Sequence, residues 1–332
     1  MHTLPSLRRL YMHDCNKLQS LPRGLGIHAD EPSGSASSST HSDMTSSLEN
    51  LTIYGCNSLL VSSFNESRFL SVTLKKLEIR ECRGVKLLAE INVDHLQSLQ
   101  EILIWDCANL RSLPHDLHML SQLTSLELFK CPALELDCFP PLPPSISKFS
   151  LWSCPKIKSL PDELHQLTCL SHLEIRWCES ITRFPDGKLP SQLRTLALSG
   201  CGNIRQPVGQ WLTRLTSLEW LYICGTVGGA GEEEDLVLPL PTSLLDLRIF
   251  EMGKVKRLSG NLPPSLRKLL IHNCPDLREL PQDGLPPSLE HLWIKGCGIL
   301  EKRCREPTGL YWPLIREIPW VAVASDEELA EE

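Results

Sequence analysis

The sequence predicts an α/β repeat solenoid, which is a stack of short units that each add one strand to a parallel β-sheet. Three observations predict this class. A motif recurs along most of the 332 residues, apolar and polar residues alternate inside each copy, and most copies carry a cysteine at the same place. Because a repeat array grows as one continuous stack, the chain length does not by itself predict two or three separate domains.

The motif reads L-x-x-L-x-[LI]-x-x-C-x-x-[LI]-x-x-L-P, and residues 7–22 and 266–281 show it most clearly. Its twelve copies begin at Leu7, Leu48, Leu74, Leu99, Leu123, Ile146, Leu170, Leu193, Leu218, Leu244, Leu266 and Leu289. Over roughly residues 4–300 the pattern resembles the leucine-rich repeat, L-x-x-L-x-L-x-x-N/C-x-L. The resemblance implies a leucine-rich-repeat horseshoe with a parallel β-sheet on its concave face.

Positions 3 to 7 of each copy form the predicted strand. Side chains alternate between the two faces of a strand, so the apolar residues at positions 4 and 6 point inward and positions 3, 5 and 7 point outward. One unit cannot bury its apolar face alone, and it therefore stacks on its neighbours. With neighbouring strands about 4.8 Å apart, twelve strands give an outward face on the order of 50 Å long.

Position 9 is cysteine in ten copies, and Thr226 and Met252 take its place in the other two. The ten are Cys15, Cys56, Cys82, Cys107, Cys131, Cys154, Cys178, Cys201, Cys274 and Cys297. We expect a buried column of thiols where the chain leaves each strand, because cysteine behaves as a small hydrophobe. Disulfides along the column are geometrically conceivable, but ten equivalent thiols suit a reducing compartment and predict a cytoplasmic protein. The chain has no C-x-x-C pair, so no metal site is expected.

The units are short. From Cys56 to Cys201, successive cysteines of the column lie 23 to 26 residues apart, which leaves little room for a full helix opposite the strand. Prolines also precede many strands, where they set an extended approach. The sequence therefore predicts a convex side made mostly of irregular loops and 3₁₀ turns.

The predicted domain organisation is a repeat array over residues 1–297, a C-terminal cap over 298–324 and a disordered acidic tail over 325–332. Solenoids need end caps for solubility. Three apolar residues of the cap are expected to seal the core of the last repeat: Trp312, Ile315 and Ile318.

Two stretches interrupt the array, a Ser-rich insertion at 28–47 and an acidic, glycine-rich loop at 227–237. The insertion is expected to be a flexible surface segment. The acidic loop is expected to be solvated, and a contact for a basic partner surface is the alternative.

The charge of the chain favours neither a nucleic-acid nor a membrane partner. The net charge is −7, and acidic residues at 232–235 and 326–332 contribute −9 of it, so the repeat body is nearly neutral. No run approaches the roughly 18 apolar residues that a membrane helix needs. The first residues carry neither a signal peptide nor a polar cap, so we expect the chain to be the C-terminal part of a longer protein.

Several features together resemble the recognition domain of plant nucleotide-binding leucine-rich-repeat disease-resistance proteins. They are cysteine in place of asparagine, Leu-Pro endings, irregular unit lengths and the missing signal peptide. Segments 274–281 and 285–294 are similar to that family's terminal repeats, and the ending over 301–319 is similar to its coiled-coil subclass. The resemblance implies a module of plant defence that senses a pathogen effector or a guarded host protein, and that contacts the nucleotide-binding domain of the full-length receptor.

The chain departs from that family in one respect. It contains no G-x-x-x-x-G-K-[ST] phosphate loop, so the resemblance covers the recognition domain without the nucleotide-binding domain. No cofactor is expected.

The outward positions are rich in aromatic residues. The chain has 7 Phe, 8 Trp and 4 Tyr, and even scattering would place about 2 of these 19 in the 36 outward positions of 332. Nine lie there: Tyr11, Tyr54, Trp105, Phe129, Trp152, Trp220, Tyr222, Phe250 and Trp293. Exposed aromatics are frequent anchors of protein interfaces. Packing of the rings against one another and against aliphatic stems is the alternative.

We predict a partner-binding concave face, and Trp105, Phe129 and Trp152 are its best candidates because they occupy position 7 in three consecutive repeats. The predicted binding residues are Tyr54, Trp105, Phe129, Trp152, Arg176, Trp220, Tyr222, Phe250 and Trp293. The charges on the outward positions are mixed, eight positive and five negative, and most are expected to be solvated. A mixed face suits a protein better than a phosphate backbone.

The chain is not expected to be an enzyme. His172 and Glu174 share the outward face of one strand, as an acid–base pair would. A solenoid face, however, lacks the enclosed pocket that tunes catalytic pKa values.

Other binding functions stay open. A substrate-recruiting adaptor of the ubiquitin-ligase type needs an F-box-like helical segment, and a cell-surface receptor ectodomain needs a signal peptide. The chain contains neither. A generic protein-interaction scaffold is the remaining alternative.

Overall fold

The computed structural model describes residues 6–19, 47–59, 72–88, 93, 96–227 and 234–324. The Ser-rich insertion, except its last residue, lies outside these ranges, as do residues 228–233 and the predicted tail. The chain divides into two compact units. Unit 1 comprises residues 1–149 and 153–156, and unit 2 comprises 150–152 and 157–332.

Unit 1 is a stack of parallel strands that follow the chain order. They are β1 (Arg9–His13), β2 (Asn50–Tyr54), β3 (Lys76–Arg80), β4 (Glu101–Trp105) and β5 (Ser125–Phe129). Each strand pairs in register with the next, so that equivalent positions of neighbouring repeats lie side by side. The strand β6 (Lys148–Trp152) has its first two residues in unit 1 and its last three in unit 2.

Unit 2 continues with the same kind of parallel stack. Its main strands are β7 (His172–Arg176), β8 (Thr195–Ser199), β9 (Trp220–Cys224), β11 (Asp246–Phe250), β13 (Lys268–His272), β14 (His291–Lys295) and β15 (Trp320–Ala324). A second parallel pair consists of β10 (Asp235–Val237) and β12 (Arg257–Ser259). The predicted fold class, a repeat stack around a parallel sheet with little helix, is confirmed.

Each of the twelve predicted repeats has its strand at positions 3 to 7, and burial alternates along it. In β4, for example, Ile102 and Ile104 are buried and their neighbours are exposed or half-buried. Apolar residues at motif positions 1, 4, 6 and 9 form most of the buried core in each unit. Burial of this apolar surface contributes about 25 cal/mol per Å² to the free energy of folding. It stabilises the stacked repeats, none of which could bury its apolar face alone.

The residue at position 8 of all twelve repeats has a positive φ. Eight of these residues are not glycine: Asp14, Glu81, Asp106, Lys130, Ser153, Trp177, Glu251 and Asn273. The other four are Gly55, Gly200, Gly225 and Gly296. The left-handed conformation turns the chain off the strand and brings the position-9 side chain into the core. A residue other than glycine is destabilised by about 1 kcal/mol in this conformation.

The segments opposite the strands contain short turns and loops, as predicted. The 3₁₀ turns are Leu117–Met119, Leu164–Gln166 and Pro185–Gly187, and helix α1 (Val208–Leu212) is also short. Within the described residues the longest helix is α2 (Gly298–Cys304), which has seven residues. The close spacing of the repeats accounts for this, because the chain must return to the next strand within about two dozen residues.

The C-terminal segment consists of α2, α3 (Trp312–Ile315) and β15, which pairs with β14 in parallel register. Ile315 is completely buried, whereas Trp312 and Ile318 are half-buried. The repeat motif does not predict β15, because this strand lies outside it. Its alternating Val321 and Val323 nevertheless continue the inward face of the sheet.

Part of the acidic segment at 227–237 is a strand and not a loop. β10 is parallel to β12, and Glu234 and Asp235 form ion pairs with Lys256 and Arg257. The expectation of a loop is therefore wrong for residues 235–237, although Asp235 and Val237 are exposed to solvent as expected. Basic side chains two dozen residues away provide partners that local sequence does not reveal.

Candidate functional site

The outward face is formed by positions 3, 5 and 7 of each strand. Parallel register places these positions in three rows that run across the strands. Neighbouring side chains of one row are about 4.8 Å apart. Large side chains on adjacent strands therefore contact one another across the face.

In unit 1 the outward rings are held by local contacts. The Tyr54 ring stacks on His13 with 4.6 Å between ring centroids, and its hydroxyl donates a 2.8 Å hydrogen bond to Glu81 Oε1. Trp105 lies against Phe129 at 5.0 Å. The Trp105 ring is half-buried, while Phe129 is only 7% exposed. Of this predicted pair, Trp105 offers the surface and Phe129 supports it.

In unit 2 the outward aromatics form one connected cluster. The Tyr222 ring lies 6.0 Å from Trp220 and 5.0 Å from Phe250, measured between centroids. Phe250 in turn contacts His272 at 5.2 Å and Trp293 at 6.3 Å. We call the connected set the aromatic cluster. It comprises Trp152, Arg176, Trp177, Trp220, Tyr222, Arg248, Phe250, His272 and Trp293.

Arg176 joins two parts of this cluster. Its guanidinium carbon lies 5.3 Å from the Trp152 ring centroid and 4.6 Å from that of Tyr222. The intervening strand β8 carries small outward residues, Ala197 and Ser199, both buried beneath the neighbouring side chains. The small residues leave the space that the long side chain crosses. Glu174, on the same strand, forms an ion pair with Arg176.

Tyr222 is half-buried on the outward face. Burial raises the pKa of its hydroxyl to about 12, and the neighbouring Cys224 thiol acts in the same direction. Cys224 is itself only 4% exposed although it occupies an outward position, and its Sγ donates to Glu251 Oε2 at 3.2 Å. Tyr222 is therefore a neutral hydrogen-bonding group at physiological pH, at the centre of the aromatic cluster.

Charges on the outward face are largely paired, contrary to the expectation that most are simply solvated. Arg248 donates two 3.0 Å hydrogen bonds to Asp246, whose side chain is 13% exposed. Other pairs join neighbouring strands: Lys76 to Glu101 at 3.0 Å and Lys148 to Glu127 at 2.8 Å. The long basic side chains are attracted to these carboxylates and lie along the outward face. The pairs hold the face in a defined arrangement.

Three residues of the cluster lie outside the set predicted from the sequence: Trp177, Arg248 and His272. Trp177 is 43% exposed and contacts Trp152 at 5.3 Å. It occupies position 8, where the positive φ turns its side chain toward the strand face, so a rule limited to positions 3, 5 and 7 omits it. His272 occupies position 7 and stacks on Trp293 at 5.3 Å. The same pattern predicts His272 when histidine is counted among the aromatic residues.

The cysteine column is buried, as predicted. Nine of its ten members have exposed fractions of 0%, and Cys15 is half-buried. Many thiols donate to the carbonyl two residues earlier, and several also to a carbonyl of the preceding strand. Cys201 Sγ, for example, lies 3.2 Å from Ser199 O and 3.3 Å from Ile175 O. The column thus links neighbouring repeats through weak hydrogen bonds.

Burial favours the protonated form of several of these thiols. It raises the pKa of Cys82 and Cys201 to about 11 and that of Cys107 to about 12. A metal ligand or nucleophile must be a thiolate. Among the described residues, no group of three or more His, Cys, Asp or Glu side chains has the geometry of a metal site.

The interior of unit 1 offers no room for a ligand of ordinary size in its apolar cavity. This cavity measures about 20 Å³ and is lined by side chains such as Leu77, Ile104 and Leu117. Ligand pockets usually measure hundreds of cubic ångströms.

On the outward face, His172 Nδ1 lies 2.8 Å from Ser171 Oγ, and Glu174 pairs with Arg176 instead of with His172. The arrangement suits binding across a surface.

Comparison with known proteins gives one family match. Residues 70–131 match the family model described as R13L1/DRL21 LRRs. A search of curated proteins gives no match. Within the described residues, no helix combines the length and the apolar composition that crossing a bilayer requires.

The chain is also similar to solved leucine-rich-repeat structures at low identity. The circular protein CroV588 is 18% identical, with a TM-score of 0.43, over 75% of this chain and 40% of its own. YopM from Yersinia enterocolitica is 20% identical, with a TM-score of 0.46, over 88% of this chain and 61% of its own. The ectodomain of the membrane receptor kinase GASSHO1/SCHENGEN3 from Arabidopsis thaliana is 15% identical, with a TM-score of 0.29, over 77% and 43%.

This chain therefore spans 40% and 61% of the lengths of the first two structures. Its repeat motif, its stacked parallel strands and the family match agree. The chain has the leucine-rich-repeat fold, and residues 70–131 match a leucine-rich-repeat family model.

Proposed function

We propose that this chain is the recognition module of a plant immune receptor. In this proposal the module acts in the cytoplasm and binds a pathogen effector or a guarded host protein through the outward strand face. The observation that carries the binding part is the aromatic cluster, in which several half-buried rings and two arginines form one surface. Aromatic residues and arginine dominate the energetics of protein interfaces.

The immune assignment has separate support. The matched repeats at 70–131 carry the R13L1/DRL21 description, and the C-terminal segments 274–281 and 301–319 resemble those of disease-resistance receptors. A nucleotide-binding domain of the full-length receptor is the second partner that this assignment implies. A substrate-recruiting adaptor of the ubiquitin-ligase type is the alternative function.

The binding surface is tested by capturing partners from infected plant tissue with the wild-type chain and with a variant. The variant carries Trp105→Ala, Trp152→Ala and Tyr222→Ala, which remove ring surface from both units. A matched variant changes large exposed residues away from the outward face, Met119→Ala and Leu310→Ala. We expect a protein that binds the wild type and the matched variant and is lost from the triple variant.

Two results would reject the proposal. If the triple variant keeps its fold, judged by circular dichroism, and still captures the same protein with equal affinity, the outward face is not the binding surface. The coding sequence upstream of Met1 provides the second test. A phosphate-loop ATPase domain in frame supports the receptor, whereas an F-box in frame supports the adaptor.

A further inference from the structure

The last strand of unit 2, β15, lies at an open edge of its sheet. Among the described residues it pairs with β14 on one side and with no strand on the other. The inward residues of β14, Leu292 and Ile294, have exposed fractions of 0%. Val321 and Val323, which pair with them in β15, are only half-buried. The apolar layer of unit 2 is therefore incompletely covered at this edge.

The open edge of β15 presents the backbone groups of two residues. In a parallel ladder, alternate residues direct their N–H and C=O groups to the same neighbouring strand. The N–H of Trp320 donates to Glu290 O at 3.0 Å, so Trp320 and Ala322 direct their backbone groups to β14. The N–H and C=O groups of Val321 and Val323 point away from β14. These four groups are the ones that a further strand could bond.

The sequence of β15 does not protect this edge. Edge strands usually avoid pairing through charged side chains, prolines or bulges. The strand reads WVAVA and contains neither a charged residue nor proline. At the start of the chain, β1 has exposed arginines at its open edge, Arg8 and Arg9. Of the two end strands, β15 is therefore the one whose sequence favours a further strand.

We propose that β15 pairs antiparallel with β15 of a second copy of this chain, about a two-fold axis at Ala322. In this register, Val321 lies opposite Val323 of the second copy. The two residues of a hydrogen-bonded antiparallel pair exchange both N–H···O=C bonds, so the two valine pairs use all four edge groups of each copy. A pair centred on Val321 would instead place Val323 opposite Pro319, which has no N–H.

The side chains and the charges fit the same register. On the inward side, the half-buried valines of the two copies cover one another. On the outward side, Trp320, which is 48% exposed, lies opposite position 324, where the sequence has alanine. The acidic residues of 326–332 leave the pair at opposite ends, whereas in a parallel pair they would lie side by side and repel one another.

The size of the interface predicts a weak dimer. Five residues of a strand span about 17 Å, so the pair buries less than the roughly 1,200 Å² of a standard stable interface. Sedimentation velocity of the full chain from about 5 to about 500 µM covers the range of weak association. We expect a monomer–dimer equilibrium without larger species. A chain that stays monomeric throughout this range would overturn the proposal.

A proline variant tests the edge without changing the bonds to β14. Val323→Pro removes an N–H that points to the open edge, where proline is tolerated. The circular dichroism spectrum should not change, and the dissociation constant of the dimer should rise about thirtyfold because two of four hydrogen bonds are lost. Val323→Ile keeps the N–H and should stay within about threefold of the wild type. Unchanged association of a folded Val323→Pro would contradict the pairing.

Charges on the two-fold axis test the register. Ala322 lies opposite its own copy, so Ala322→Lys and Ala322→Glu each place like charges together and should each weaken the dimer about fivefold. An equimolar mixture of the two variants should form a heterodimer at least as tight as the wild-type dimer. Met119→Lys adds the same charge at an exposed position opposite the strands and should have no effect. Equal weakening by Met119→Lys, or a mixture that stays monomeric, would overturn the proposal.

Other occupants of the edge give different results. If β15 paired with β1 of the next copy, the chains would form species larger than dimers and the charge mixture would not restore association. If a chain that ends at Ala324 dimerises and the full chain does not, the chain's own acidic tail occupies the edge. Either result would overturn the proposal. The variant with Trp105→Ala, Trp152→Ala and Tyr222→Ala should dimerise like the wild type, so this test is independent of the proposed function.

Discussion

The guanidinium carbon of Arg176 lies 4.6 Å from the ring centroid of Tyr222, although strand β8 separates the two residues. Two strand spacings amount to about 9.6 Å, which a long side chain crosses only if the strand between carries small residues. Ala197 and Ser199 meet that condition. The contact joins repeats seven and nine and thereby makes the aromatic cluster continuous.

We predict that Arg176→Lys destabilises the domain by about 1 kcal/mol. An ammonium group keeps the charge opposite Glu174 but cannot stack as a plane on Trp152 and Tyr222. Urea unfolding followed by circular dichroism measures the change. The matched control is Arg267→Lys, whose exposed pair with Glu290 lacks ring contacts and whose substitution should cost less than about 0.5 kcal/mol. Equal costs at the two positions would contradict the stacking account.

The positive φ at position 8 predicts opposite effects for two glycine substitutions. Gly225 has a φ of 69° and Gly209 lies in α1, and an added Cβ meets nothing within 4 Å at either site. Gly225→Ala should therefore destabilise by about 1 kcal/mol through backbone strain alone. Gly209→Ala should stabilise by roughly 0.5 kcal/mol because alanine favours a helix. Thermal unfolding of the two variants compares them, and the same sign for both would contradict this explanation.

The buried thiols predict a loss of stability at alkaline pH. The folded pKa of Cys107 is raised to about 12 from an ordinary value of about 9, so the folded state holds a proton that the unfolded state releases. The stabilising contribution is complete below pH 9 and is lost as the pH rises from 9 toward 12. The urea midpoint of the wild type should fall from pH 7.5 to 9 and 10. The midpoint of Cys107→Ala should fall less steeply with pH than that of the wild type. Cys169→Ala, at an exposed position, should follow the wild type, and a shallower slope there would count against burial as the cause.

Within α3, we predict that the loss of stability on truncating a side chain depends on how deeply that side chain is buried. Ile315 is completely buried, whereas Leu314 is 39% exposed. Ile315→Ala should destabilise unit 2 by about 2–4 kcal/mol by removing buried surface and leaving a cavity. Leu314→Ala should cost less than about 1 kcal/mol. Chemical denaturation measures both, and a small loss at Ile315 would mean that this segment does not seal the last repeat.

Much of the fold could be predicted because every repeat contains the same alternation of apolar and polar residues. The inward residues Ile102 and Ile104 alternate with outward ones, and that alternation alone assigns strand, face and register. The column cysteines are predicted to lie in the core for another reason, because cysteine recurs where the chain leaves each strand and behaves as a small hydrophobe. The strand β15 could not be predicted in this way, since it joins the sheet without the motif.

The candidate site was predictable at the level of face but not of contact. Position 7 places Phe129 and Trp152 outward, yet only the structure shows that Phe129 is nearly covered and that Trp152 contacts both Trp177 and Arg176. Contacts of this kind depend on side-chain length on the neighbouring strand. They also depend on the backbone turn at position 8, and neither follows from a single repeat.

The sequence by itself determined the repeat, the strand positions, the inward apolar face and the buried thiols, because these follow from local periodicity that every copy repeats. The tertiary structure alone decided which outward side chains meet. Arg176 reaches Tyr222 over Ala197, and His272 stacks on Trp293, because parallel register brings residues more than twenty positions apart within a few ångströms.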